Sequence, residues 1–303
     1  MDKAEEAINL IIEASKKLDP NQPWEIGYSG GKDSTTVLNL LIEAIKQGAI
    51  INKLYVIYTD TLLEHPVLRR EALEALESLR QYPNITPVRL TPKPGEDFIS
   101  MMVKKGYPVP GPRFRWCMAR LKIRPMMEFM RRLGHFVQVS GIRASESSDR
   151  GRRYGGLDKF VNGANPILMP ILDWTTEDVI NYLREARRWD GRDFGYLLSL
   201  YEVGGYALFT SVRFGCWVCT VVRNDRMPVP PILKWARERL IAISRDPSMR
   251  IIIDGKPRGL SEVGRREVAR VFLRVLEEYP EAFGYNVGEL RGMLGGVVGI
   301  SVE

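Results

Sequence analysis

Apolar positions along this chain recur at helical spacing, then at strand length, and the alternation repeats. Residues 1–18 read as an amphipathic helix with acids and bases interleaved. Residues 24–28 are a short apolar run, residues 33–46 place Val37, Leu38, Leu41, Ile42 and Ile45 on one helical face, and residues 54–58 return to a strand pattern. That succession is a βαβ unit. The rhythm continues with a helix over 68–79, an extended segment over 85–90, a helix over 115–133 broken at Pro125, and an extended segment over 136–141. It predicts an α/β protein with a doubly wound, mainly parallel sheet. Farther on, the polar stretch SESSDRGRRYGG (145–156) reads as a loop and residues 166–170 as extended. Thr175 or Thr176 caps a helix to residue 187. Beyond residue 190 the rhythm weakens, a proline cluster occupies 227–231, and a closing helix runs over 261–278. The expected organisation is a nucleotide-type domain over 1–185 and a smaller, mostly helical C-terminal domain over 186–303.

Composition narrows this. The chain has 303 residues, 45% of them hydrophobic and 27% charged, enough for a substantial core. No apolar run is long enough to span a bilayer and the N-terminus lacks a signal-peptide core, so the expectation is a cytoplasmic protein with no membrane partner. A formal charge of +7 and a pI near 9.3 point to a polyanionic partner or substrate. The three cysteines, an odd number, favour metal or redox chemistry over a disulfide framework. Abundant Arg and Glu with few Gln and His suit a thermophilic source.

The candidate chemistry begins at Tyr28-Ser29-Gly30-Gly31-Lys32-Asp33-Ser34. A glycine-rich turn between a strand and a helix gathers backbone N–H groups and the positive end of the helix dipole on one point, which suits a phosphate. Glycines admit the close approach, Lys32 offsets charge, and the Ser29 and Ser34 hydroxyls donate. The spacing is not that of the Walker loop. Ile57, Tyr58, Thr59 and Asp60 close the second strand, where main-chain groups would meet an adenine, and Asp60 or Glu64 would hold Mg2+. Arg143, following Gly141, is placed to grip a phosphate with its fork.

Cys216 and Cys219 form a C-x-x-C, and Cys117 precedes them by about a hundred residues. Three readings stand: a [4Fe-4S] cluster with one iron bound by a non-cysteine ligand, a zinc site completed by His65 or His135, and reduced thiols.

SGGKDS resembles the signature of the PP-loop ATP pyrophosphatases, and YTDTLLEHP (58–66), GIRASES (141–147) and ILDWTTEDV (171–179) resemble segments of their phosphoadenylylsulfate reductase-like branch. The resemblance implies an adenine nucleotide alpha hydrolase-like fold that binds ATP and cleaves it between the α and β phosphates. It makes Lys32, Asp33 and Arg143 the catalytic candidates. RFGCWVCTVV and CMARLKIRP are similar to the cysteine segments of DNA phosphorothioation sulfurtransferases. That implies a cluster held by Cys117, Cys216 and Cys219, with Asn224 and Asp225 where a fourth cysteine is expected. The implied enzyme adenylylates its substrate, releases pyrophosphate and inserts sulfur. Its acceptor is nucleic acid, DNA ahead of tRNA, or an adenylylated small molecule, and its sulfur donor is a protein such as a cysteine desulfurase. The basic segments 150–153 and 113–124 would follow a phosphate backbone, with Tyr154 or Trp116 stacking on bases. Two other readings remain: an adenylylsulfate or phosphoadenylylsulfate reductase, against which stands a C-terminus without the Cys-Gly segment, and a non-catalytic nucleic-acid-binding module.

Overall fold

Trp24–Gly27 (β1) is the central strand of a six-stranded sheet in a computed structural model of the chain, which describes residues 2–146, 148–154, 156–203, 206–207, 214–221 and 228–299. β1 runs parallel to both Leu54–Thr59 (β2) and Val137–Val139 (β4), so that Ile26 lies opposite Val56 on one side and Val139 on the other. With Ile85–Leu90 (β3), Phe160–Val161 (β5) and Ile167–Leu168 (β6), the order is β3-β2-β1-β4-β6-β5. β6 is parallel to β4, while the two-residue edge strand β5 is antiparallel. This is the mainly parallel α/β sheet that the apolar rhythm predicts.

Contacts group the chain into two units: residues 1–59, 70–89 and 129–212, and residues 60–69, 90–128 and 213–303. A single cut near residue 185 therefore does not describe the division, because both units are assembled from separated segments. Loops leave the sheet in mid-chain and build the second unit together with the C-terminal third.

In the first unit, Lys3–Lys17 (α1) is capped by the Asp2 carboxylate, and it packs on Lys32–Lys46 (α2). Val37, Leu38, Leu40, Leu41 and Ile42 of α2 are fully buried. The other side of α2 meets Thr176–Glu185 (α7), which begins with a reciprocal capping box between Thr175 and Asp178. Pro66–Ser78 (α3) starts on its proline and runs from the second unit into the first.

The stretch predicted as a loop over 145–156 instead contains a helix, Ser148–Tyr154 (α6), after a 3-10 turn over Ala144–Glu146. An ion pair from Arg150 to Glu146, one helical turn apart, supports it where no apolar stripe signals a helix. The helix predicted over 115–133 is also altered. A π-helical segment, Met118–Ile123, runs directly into Arg124–Leu133 (α5), and Pro125 lies just past that wider turn. Gly195–Tyr201 (α8) and a minimal hairpin, Glu202–Val203 (β7) with Tyr206–Ala207 (β8), complete the first unit.

The second unit is mostly helical. Glu262–Glu278 (α10) packs on Phe98–Val103 (α4), Pro231–Arg245 (α9) and Val287–Val298 (α11) around a core that includes Met101, Met102, Leu233, Leu240, Phe272, Val275 and Leu294. An antiparallel ribbon, Arg250–Ile253 (β9) and Lys256–Leu260 (β10), projects from it. No described helix is long and apolar enough to cross a membrane.

Candidate nucleotide site and cysteine cluster

The chain leaves β1 at Gly27 and enters α2 at Lys32, and the residues between them form a tight turn in the first unit. Gly30 has φ of 72°, a conformation that costs a Cβ-bearing residue. The turn is closed by its own serines. Ser29 N–H donates to Ser34 Oγ at 3.2 Å, the two hydroxyls are 3.0 Å apart, and Gly31 N–H donates to Ser29 Oγ at 3.3 Å. Gly31, at the N-cap, has no side chain to satisfy the first amides of α2, which leaves that helix end suited to an anion. Gly141 lies so close that a Cβ there would stand 3.3 Å from the Asp33 carbonyl oxygen. The absence of a side chain lets the segment after β4 approach the loop.

Asp33 holds the charged groups together. Its Oδ2 is 2.7 Å from Lys32 Nζ and its Oδ1 is 2.7 Å from Arg143 Nε. Arg143 is only 1% exposed, and its Nη1 donates to Ser145 Oγ at 3.1 Å and Thr176 Oγ1 at 3.3 Å. Ser145 Oγ donates in turn to the carbonyl of Trp174 at 2.8 Å. The Trp-Thr-Thr-x-Asp segment therefore anchors the arginine as well as starting α7. Arg143 Nη2 makes no hydrogen bond to the described residues, so one corner of the fork remains for an anion while the rest orients Asp33.

A further residue belongs to this site that the sequence did not signal. Burial raises the hydroxyl pKa of Tyr201, and the main-chain N–H of Lys32 donates to that oxygen. Lys32 Nζ lies 5.6 Å from the Tyr201 ring centroid. Only the fold joins this residue, at the end of α8, to the loop.

Ile57 and Tyr58 are buried in β2, with the Ile57 carbonyl accepting from Tyr28 N–H at 2.8 Å; Thr59 is half-buried. Asp60 and Glu64, the expected magnesium ligands, are engaged with cations of the second unit. Arg69 Nε donates to both oxygens of the fully buried Asp60 carboxylate at 3.1 Å, and Lys122 Nζ is 2.8 Å from Glu64 Oε1. The Arg69 pairing satisfies the buried Asp60 charge.

The three cysteines all belong to the second unit. Cys216 forms an isolated antiparallel bridge with Glu64, flanked by Trp217 N–H to Leu63 O and His65 N–H to Gly215 O, both 2.9 Å. Cys219 N–H donates to Cys216 O at 3.0 Å and closes the C-x-x-C turn. Trp217, fully buried, anchors the turn through Nε1 to the Ala282 carbonyl at 2.9 Å, and Arg237 Nε donates to the Trp217 carbonyl. Cys117 stands at the head of the π-helical segment.

The thiols sense one another. Burial pushes the Cys117 thiol up, with Cys219 adding to it, and burial pushes Cys216 up to about 12 while the Lys122 ammonium pulls it back. Thr61 Oγ1 is 3.1 Å from Cys216 Sγ. Cys219 acts on both other thiols and the Lys122 ammonium on Cys117 and Cys216, and thiols are by type soft donors. Among the described residues, no three His, Cys, Asp or Glu side chains are grouped so that they could hold a metal ion. Asn224 and Asp225 lie outside the described residues.

Of the two histidines, His135 is exposed in the first unit. His65, in the second, donates Nε2–H to Pro228 O at 2.8 Å, which leaves Nδ1 buried without a partner. Trp116 is a core residue, stacked on Phe98 with centroids 5.0 Å apart, and is not available to a base. Arg120 packs over Tyr107, and Arg124 is paired with Glu96 and Glu128.

A glycine-rich anion loop at the carboxyl end of a central parallel strand defines an α/β nucleotide-site protein. Within that class, residues 25–222 match the phosphoadenosine phosphosulfate reductase domain family, and the chain belongs to it. Two uncharacterized proteins of Methanocaldococcus jannaschii are 24% identical over 233 residues and 27% identical over 251 residues, covering 74% and 75% of this chain. The chain spans about half the length of these curated relatives, 48% and 45%. Among solved structures, it is similar to a phosphoadenylyl-sulfate reductase of Candida auris at 15% identity and TM-score 0.41, covering 61% of this chain and 79% of that one. It is also similar to the U34-tRNA thiolase NcsA of Methanococcus maripaludis with its [4Fe-4S] cluster, at 12% identity and TM-score 0.39, covering 99% and 80%.

Proposed function

We propose that the chain is an ATP-dependent sulfurtransferase that adenylylates its acceptor with release of pyrophosphate and then replaces the activated oxygen with sulfur. The acceptor we infer is nucleic acid, DNA ahead of tRNA. The observation that carries this reading is the pairing, in one chain, of a serine-closed anion loop with three cysteines in electrostatic reach of one another beside Lys122. The loop amides of Gly30 to Lys32 donate to the triphosphate oxygens, and Lys32 and the remaining corner of Arg143 offset their charge. Asp33 holds both cations in position. An acceptor oxygen attacks the α phosphorus, the α–β bridge breaks, and pyrophosphate leaves with the bonding pair. A sulfur nucleophile from a donor protein then displaces AMP from the acceptor. Cys117, Cys216 and Cys219 would hold an iron-sulfur cluster, which when bound supplies a site for sulfur. Transfer of labelled sulfide to duplex DNA in the presence of ATP tests this, with acid-stable label on DNA expected from the wild type and lost in Lys32→Ala and Cys216→Ser.

The family match favours a second reading, reduction of adenylylsulfate or phosphoadenylylsulfate. Sulfite release from either nucleotide with a thiol reductant, independent of ATP, distinguishes it.

A further inference from the structure

The β9–β10 ribbon has no counterpart in the chemistry above, and its surface is unusual. Ile251, Ile252 and Ile253 are 47–49% exposed, three consecutive large apolar side chains left in solvent. The connecting residues Asp254 and Gly255 both have positive φ, 52° and 68°, as a two-residue hairpin turn requires. Every residue from 251 to 258 is exposed, so both faces of the ribbon are uncovered.

Its base is built to hold it out rigidly. Leu260 N–H donates to Gly106 O at 2.6 Å, and a Cβ on Gly259 would stand 3.0 Å from that same oxygen, so the two backbones meet where no side chain intervenes. The Arg250 guanidinium donates to the carbonyls of Ser244, Arg258 and Gly259 and staples the ribbon to the end of α9. Ser261 N–H donates to Met249 O at 2.9 Å.

Charge around the ribbon is one-sided. Lys256 and Arg258 are exposed on β10, and Lys104 and Lys105 are exposed in the segment that clamps its base. Arg265 reaches the same segment by donating to the Lys104 carbonyl at 3.1 Å. Against these cations stand Asp254 at the tip and Glu262, the latter ion-paired to Arg266. A second copy of this basic chain is therefore a poor electrostatic match, and a polyanion is a good one.

Shape narrows the polyanion. Register puts Lys256 opposite Ile253 and Pro257 opposite Ile252, so Ile251, Ile253 and Lys256 share one face. A two-stranded ribbon fits the major groove of B-form DNA, about 12 Å wide, whose floor carries thymine methyl groups, whereas the major groove of A-form RNA is too narrow to admit it. We propose that this ribbon is a DNA-binding arm that enters the major groove of duplex DNA, with Ile251 and Ile253 against thymine methyls and Lys256, Arg258, Lys104 and Lys105 on the flanking phosphates. The proposal concerns residues other than those of the anion loop and the cysteines, and it holds or fails independently of the ATP chemistry.

The test is fluorescence anisotropy of a labelled 20-base-pair duplex with the full chain and no nucleotide present, over a salt series. Lys256→Ala/Arg258→Ala should weaken binding at least about tenfold and lower the slope of log affinity against log salt by about two, the loss of two phosphate contacts. Ile251→Ser/Ile253→Ser should leave the slope unchanged. Replacing thymine by uracil should weaken the wild type several-fold and leave that isoleucine variant unaffected. Unchanged circular dichroism and melting temperature verify that both variants fold. Equal binding by wild type and both variants overturns the proposal. So does equal ribbon-dependent binding to duplex RNA or to anionic phospholipid vesicles, or a dimer that the isoleucine variant dissociates while DNA binding stays the same.

Discussion

Arg143 donates from Nε to Asp33 Oδ1 at 2.7 Å, across 110 residues of sequence, and this one bond ties the loop after β4 to the first turn of α2. The arginine is buried and its carboxylate partner also holds Lys32, so the pair fixes where the loop's two cations sit.

Breaking that pair should be costly. Removing one partner of a buried ion pair leaves the other charge desolvated, at about 3 kcal/mol or more. Arg143→Ala should lower the unfolding free energy by that order, and Asp33→Asn should cost at least as much because it leaves the buried Arg143 guanidinium unpaired, whereas Asp33 is itself partly solvated. The double variant should be clearly better than additive, and strict additivity in the cycle would show that the two do not act as a unit.

Tyr201 makes the opposite kind of claim. Its hydroxyl accepts from the Lys32 N–H, one of the amides assigned to phosphate. Tyr201→Phe should tighten ATP binding by roughly threefold to tenfold, the worth of one net hydrogen bond, with little change in stability. Isothermal titration checks this, and a weaker affinity in the variant would make the hydroxyl a ligand instead of a competitor.

Much of this arrangement was legible before the fold was known, and the remainder for definite reasons was not. The βαβ unit over residues 24–59 follows from apolar period and a glycine turn, both local. The Tyr201 contact depends on tertiary placement alone. Helix α6 has no apolar stripe to signal it, only a polar Arg150–Glu146 pair across its start. The sequence shows Asp60 and Glu64 as acids but hides Arg69 and Lys122, the cations that engage them, because those contacts are tertiary. At the ribbon, Asp254-Gly255 is a local hairpin signal, but the exposure of the three adjoining isoleucines is a tertiary property that an apolar run does not reveal.

Glu25 supplies a pH dependence. It sits in β1 at the centre of the sheet, 1% exposed and in register with Gln138. Burial raises its pKa to about 7, only partly offset by the Gln138 hydrogen bond. The folded state therefore binds the proton more tightly than the unfolded chain, and stability falls as pH rises from about 4.5 through 7, by about 3 kcal/mol in all. Glu25→Gln should remove this slope, so that the variant gains on the wild type at pH 8 and loses the advantage below pH 4.5. Parallel urea melts across that range check it, and identical pH profiles would count against the burial argument.

The cysteines make a metal prediction. Anaerobic purification and reconstitution should give a broad visible absorption band with iron bound, and Cys117→Ser, Cys216→Ser and Cys219→Ser should each abolish it. Zinc at one equivalent without iron would move the assignment to the site in which the unpartnered Nδ1 of His65 is the candidate fourth donor.

The central claim is that the loop from Ser29 to Ser34 presents ATP for attack at its α phosphorus. The direct measurement is product analysis of ATP carrying label at the α and γ positions, incubated with Mg2+ and duplex DNA. The account requires labelled pyrophosphate together with AMP or adenylylated DNA, and at least a hundredfold loss in Lys32→Ala. ADP and inorganic phosphate as the products, or turnover unchanged by Lys32→Ala, would contradict it.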